Sequence, residues 1–163
     1  MMVPMSEKRP NGSAKHARPS EVTEDYWIHV DSAARSSHEE LRCGKWMLFT
    51  NPTEHDDVWT KIRDATVAGE LGCAAKAATA KGNPLQGDSR ALLTCVYTYD
   101  YEDLEDVGRV LVALRNLGFM RRISYKTDDD TRAESTARGP RSMWPSLNQW
   151  ISTIAERKVD RGR

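Results

Sequence analysis

Between residues 102 and 117, Val107, Val110, Leu111, Leu114 and Leu117 recur at three- and four-residue steps, and Gly118 follows them. That spacing lines one face of an α-helix with apolar side chains. A glycine just past the last of them suits the left-handed cap that ends a helix. A helix with one apolar face needs a surface to bury it against, and the remaining segments supply strands. Tyr26, Trp27, Ile28, His29 and Val30 are the aromatic and β-branched types that strands favour, and a second such run covers 45–49 behind Gly44. A clear strand is expected over 91–98, and residues 121–126 (RRISYK) alternate as a strand does. Asn51-Pro52-Thr53 opens another helix, with Thr53 as N-cap and Glu54, Asp56 and Asp57 at the positive end of the helix dipole. Val58, Trp59, Ile62, Ala65 and Thr66 form its inward stripe, and Gly69 ends it.

Residues 73–79 are ambiguous, because alanines favour helix while the short length between Gly72 and Gly82 favours a strand. Residues 31–42, 80–90 and 127–143 read as polar loops. A short final helix over 145–157 carries Leu147, Trp150, Ile151 and Ile154 on one face. With 73–79 as a strand, the order is β-β-α-β-β-α-β plus a terminal helix. The expected fold class is α+β, with a mixed or antiparallel sheet covered by helices on one face.

The chain has 163 residues, which suits one domain at a usual size of about 100–200. Residues 1–22 are poor in apolar groups and read as a disordered basic tail; 23–157 form the single domain and 158–163 a basic end. Lys+Arg and Asp+Glu are equal at 24 each, so net charge gives no reason to expect a strong nucleic-acid binder. The apolar runs fall far short of the roughly 20 residues that span a membrane. With no apolar leader at the N-terminus, the expected address is the cytoplasm, with the nucleus as the alternative. Cys43, Cys73 and Cys95 are odd in number and have no C-x-x-C spacing, so they are read as reduced thiols, with no metal site and no cofactor expected. Cys95, inside ALLTCVY, reads as a core residue.

Four short segments carry a resemblance: Gly44-Lys45-Trp46; Leu71-Gly72 followed by Ala75-Lys76; Val96-Tyr97-Thr98-Tyr99-Asp100; and Tyr125-Lys126-Thr127-Asp128. In that order and spacing, over about residues 26–132, the chain resembles the basophilic-leukaemia-expressed protein family. The resemblance implies a fold like that of translation initiation factor 4E, the messenger-RNA cap-binding protein. Some bacterial relatives carry the label phosphothreonine lyase.

Both analogies make demands on residues. Cap recognition needs two aromatic rings around a cationic base, a carboxylate for the base edge and cations for phosphates. Trp46 and Trp59 are read as core residues instead, one in a strand and one on the inward face of a helix; Trp27 is open. A lyase needs a base for the α-proton, an acid for the leaving phosphate and cations to hold it. Lys45, Lys76 and Lys126 are candidates for the base, Arg122 or Arg90 for the clamp and His29 for the acid. The lyases' Lys-x-His pattern is absent, because position 27 is Trp. Asp128-Asp129-Asp130 reads as a solvated turn. The leading expectation is a binding module for a phosphorylated small molecule, RNA end or phosphopeptide. Its ligand set is Lys45, Lys76 and Lys126 with Arg122 and Thr127. A lyase-like enzyme and a protein–protein adaptor are the alternatives.

Overall fold

The computed structural model describes residues 17–35, 42–82 and 90–129. The expected final helix over 145–157, the end segment 158–163, most of the N-terminal tail and Asp130 lie outside the described residues. The described elements are β1 (Trp27–Asp31), β2 (Gly44–Thr50), α1 (Pro52–Val67), β3 (Ala74–Ala78), β4 (Leu92–Thr98), α2 (Leu104–Asn116) and β5 (Ser124–Thr127). The order β-β-α-β-β-α-β is the one expected, and residues 73–79 resolve into a strand.

The five strands form one sheet in the order β1-β3-β4-β2-β5, and every ladder is antiparallel. Because β2 and β3 both run antiparallel to β4, they are parallel to each other, with α1 crossing between them. By the same logic α2 joins β4 to β5 across β2. The two crossover units are interleaved, each placing its helix on the same side of the sheet.

That side is the core. Ile28, Val30, Trp46, Leu48, Ala75, Ala77, Val96 and Tyr125 point into it from the strands, and Trp59, Ile62, Val107, Val110, Leu111 and Leu114 meet them from the helices. The α2 stripe is as the spacing required, and Leu117 packs at its margin. Asp103 caps α2, its side chain accepting a hydrogen bond from the Asp106 amide at 3.2 Å, and Gly118 follows at φ +97°. Arg109 reaches from α2 to the turn before β3, donating to the carbonyls of Glu70 (3.2 Å) and Leu71 (2.9 Å).

Two details differ from expectation, and a third concerns a residue for which the sequence raised none. The N-cap of α1 is Asn51, not Thr53. Pro52 has its φ fixed at a helical value and lacks only an amide that a first-turn residue does not need, so it takes the first helical position. Residues 17–22, assigned above to the tail, are packed: Pro19 is buried in a 3-10 turn, Ala17 and Val22 lie against the core, and the Ser20 amide donates to Asp56 at 3.0 Å. The ordered domain therefore starts before residue 23.

The third is His55. It sits in the first turn of α1 and is 1% exposed, with Nδ1 2.8 Å from Thr50 Oγ1 and Nε2 2.8 Å from the Ala78 carbonyl. One imidazole thus joins the end of β2, the start of α1 and the end of β3. Burial holds its pKa below the usual histidine value. The unfolded chain therefore binds a proton more readily than the native one. Stability should be full above about pH 6.5 and should fall as pH drops below it. Denaturant unfolding between pH 8 and 5 should show this loss, and His55→Gln should flatten it. Separately, Leu114→Ala should cost about 2–5 kcal/mol, whereas Val112→Ala, on the exposed side of α2, should stay within about 0.5 kcal/mol.

Candidate functional site

Strand neighbours in sequence point to opposite faces of a sheet. Trp46, Val96, Ala75 and Ile28 face the helices, so Lys45, Tyr97, Lys76, Trp27 and His29 face the other way. Register places them together. Ala74 lies opposite Tyr97, Tyr97 opposite Lys45, and Lys45 opposite Lys126. One step along, His29 lies opposite Lys76, Lys76 opposite Cys95, and Cys95 opposite Met47. Three lysines far apart in sequence thus share the sheet face away from the helices, and Lys45 and Lys126 are direct cross-strand neighbours.

Like charges directly opposite one another destabilise a sheet, and the surrounding residues offset the repulsion. Asp128 lies 3.6 Å from Lys45 Nζ, whose side chain is only 12% exposed. Lys45 Nζ is 5.6 Å from the centroid of the Tyr97 ring. Lys76 Nζ stands 4.1 Å from the Trp27 ring centroid and 5.9 Å from that of Tyr97. Burial holds the Lys76 pKa below the ordinary lysine value, and Lys45 pushes it the same way, against Cys95 and Asp128. Cys95 is 1% exposed and lies on this face. Burial pushes its thiol pKa up, while Lys76, Lys45 and Lys126 pull it down. The Tyr97 hydroxyl pKa is pushed up by burial.

The other candidates are placed less closely. Thr127 is 4% exposed and pairs with Gly44, so alternation turns it to the helix-covered face, away from the lysines. Arg122 is exposed and precedes β5, outside the ladder that carries Lys126. Arg90 is exposed ahead of β4. His29 is exposed on β1, facing Lys76. Trp46 is 2% exposed, with Nε1 donating to the Val107 carbonyl at 3.0 Å, and Trp59 is fully buried. Of the acidic run, Asp128 sits beside Lys45 and Asp129 accepts from the Tyr101 hydroxyl at 2.8 Å. No group of metal-ligating side chains occurs among the described residues.

The aromatic members of this face, Trp27 and Tyr97, were not singled out with the lysines. Alternation was the available signal: in Val96-Tyr97-Thr98, an inward Val96 and Thr98 put Tyr97 on the lysine side. The intervening residues build the support. A Cβ on Gly44 would lie 2.1 Å from Tyr125 Oη, so only glycine lets that ring in. Tyr125 Oη is 2.7 Å from Thr98 Oγ1, and its ring meets Trp46 edge-on at 4.9 Å between centroids. A Cβ on Gly72 would fall 1.7 Å from the Tyr97 carbonyl oxygen, which accepts from the Cys73 amide at 3.0 Å. All four segments that carried the resemblance therefore meet at one end of the sheet, with Trp46, Ala75, Val96 and Tyr125 inward and Tyr97 and the lysines outward.

The family described as Basophilic leukemia-expressed protein Bles03 matches residues 7–132. This chain belongs to the Bles03 family. No curated protein matches it by sequence. Among solved structures, schistosome eIF4E complexed with m7GpppG and 4E-BP is similar at 13% identity, with a TM-score of 0.57, over 79% of this chain and 74% of that one. C. elegans eIF4E-3 in complex with the 4E-binding protein Mextli and a cap analog is 18% identical over 61% of this chain and 55% of that one, at a TM-score of 0.46. The schistosome likeness gives this Bles03 chain an eIF4E-like α+β fold.

A partly buried, charged lysine costs stability while it holds its proton. Relative to Lys76→Met, the wild type should gain stability as pH rises from the lowered Lys76 pKa towards the ordinary value near 10.5, because over that window the unfolded chain binds more protons. Urea unfolding of both proteins from pH 7 to 10.5 measures this; parallel curves would mean that Lys76 is as well solvated as in the unfolded chain.

Proposed function

We propose that this protein is a binding module that holds a phosphorylated ligand on the sheet face bearing Lys45, Lys76 and Lys126. The observation that carries the reading is their convergence: three ammonium groups from β2, β3 and β5 share one face with the Trp27 and Tyr97 rings. A phosphate there gains charge-assisted hydrogen bonds, about twice as strong as neutral ones. It also relieves the mutual repulsion of the lysines, so the cost of gathering them is recovered on binding. Groups held at such a cost are found preferentially at functional sites. The schistosome neighbour, described as complexed with m7GpppG, supports a scaffold of this type holding a phosphate-bearing ligand. A cap sandwich built on Trp46 and Trp59 is not available, since both are in the core.

A second reading has its own observation. His29 faces Lys76 across the β1–β3 ladder, and burial lowers the Lys76 pKa, which suits a base. In a lyase, Lys76 would take the α-proton of a phosphothreonine, the Cβ–O bond would break to leave an alkene, and His29 would protonate the departing phosphate.

Titration of nucleotides, capped RNA fragments and phosphopeptides into the wild type, Lys76→Ala and Lys126→Ala tests both. Each substitution should weaken binding by about tenfold or more, the usual loss of a hydrogen bond to a charged group. Asp128→Asn should strengthen it by releasing Lys45. Unchanged binding in both lysine variants would refute the shared site. Loss of phosphate from a phosphopeptide with formation of an alkene would replace the binding module with the lyase.

A further inference from the structure

The aromatic rings on the lysine face are already occupied by cations. Lys76 Nζ stands 4.1 Å from the Trp27 centroid and 5.9 Å from that of Tyr97, and Lys45 Nζ is 5.6 Å from Tyr97. The electron-rich faces of such rings are what a cationic planar ligand would seek. Here the protein's own ammonium groups hold them.

We propose that the Lys76–Trp27 pair sets the ligand specificity of this face. The face selects a nucleoside phosphate with an uncharged base and rejects one whose base carries a fixed positive charge. The proposal rests on the reading of this face as a phosphate site. An incoming phosphate draws the Lys76 ammonium towards itself, because a charge-assisted hydrogen bond outweighs a cation–π contact. The half-buried Trp27 ring is then uncovered for a planar partner. An uncharged base stacks on it, since every base has a π-face. A positively charged base meets Lys45, Lys76 and Lys126 on the same face, and its charge is repelled.

Calorimetric titration with GTP, N7-methyl-GTP and inorganic triphosphate tests this. GTP should bind roughly five- to tenfold tighter than N7-methyl-GTP, the scale of one cation–π contact or stacked base. It should also bind tighter than triphosphate, and Trp27→Leu should bring it down to the triphosphate level. In Lys76→Met all three ligands should weaken, but the preference for GTP over N7-methyl-GTP should shrink towards equality as the aromatic pair loses its resident cation. This second variant keeps the test decisive should Trp27→Leu misfold. N7-methyl-GTP binding as tightly as GTP, or triphosphate matching GTP, overturns the proposal and leaves the phosphate site standing. No binding of any of the three removes the phosphate reading and this proposal with it.

Discussion

The arrangement depends on the Tyr125 ring entering the space that Gly44 leaves open. The phenol has its edge against Trp46 and its hydroxyl 2.7 Å from Thr98 Oγ1, so one side chain of β5 is fixed simultaneously to β2 and β4. β5 is a four-residue strand at the edge of the described sheet; buried Thr127 and the Asp128 amide, which donates to the Cys43 carbonyl at 3.0 Å, hold it in the same register as Tyr125 does. A slip by one residue would turn Tyr125 outward and Lys126 into the core. The burial of Tyr125 thus determines that Lys126 stands opposite Lys45. Gly72, just before β3, plays a matching part, because close approach to the Tyr97 carbonyl sets the level at which Lys76 meets the other strands. Apolar packing on one side of the sheet fixes charge placement on the other.

Much of this was legible in the sequence. The stripe of α2 and the alternating strands needed no tertiary information, because each shows a period that only one backbone geometry satisfies. Residues 73–79 could not be settled locally. Alanine favours helix, but Ala75 and Ala77 are fully buried where α1 lies against β3, and small side chains suit that close contact. His55 escaped notice because a polar residue in a polar first turn looks solvated. Its two partners lie 5 and 23 residues away and become neighbours only in the fold. The three lysines could be named from their segments, yet Thr127 was grouped with Lys126, its neighbour in sequence and its opposite in space. Alternation assigns Trp27 and Tyr97 to the outward side of their strands, and pairing then sets them beside Lys76, because their strands are the neighbours of β3.

The interleaved topology bears on how such a chain comes to exist. Among the described strands, β1 pairs only with β3, and β2 pairs only with β4 and β5. When synthesis has reached Thr50, neither β1 nor β2 has its described partner strand, and β2 waits until β4 has been made, more than forty positions later. α1 can form meanwhile, but the sheet it packs on cannot. Nonlocal pairing of this kind slows folding and leaves unpaired edges open to other chains. β4 is the strand that ends the wait, because it joins β3 to β2 and brings both halves of the molecule together. The lysine face is completed only with β5, so Lys126 meets Lys45 in the same step that seats Tyr125 against Trp46.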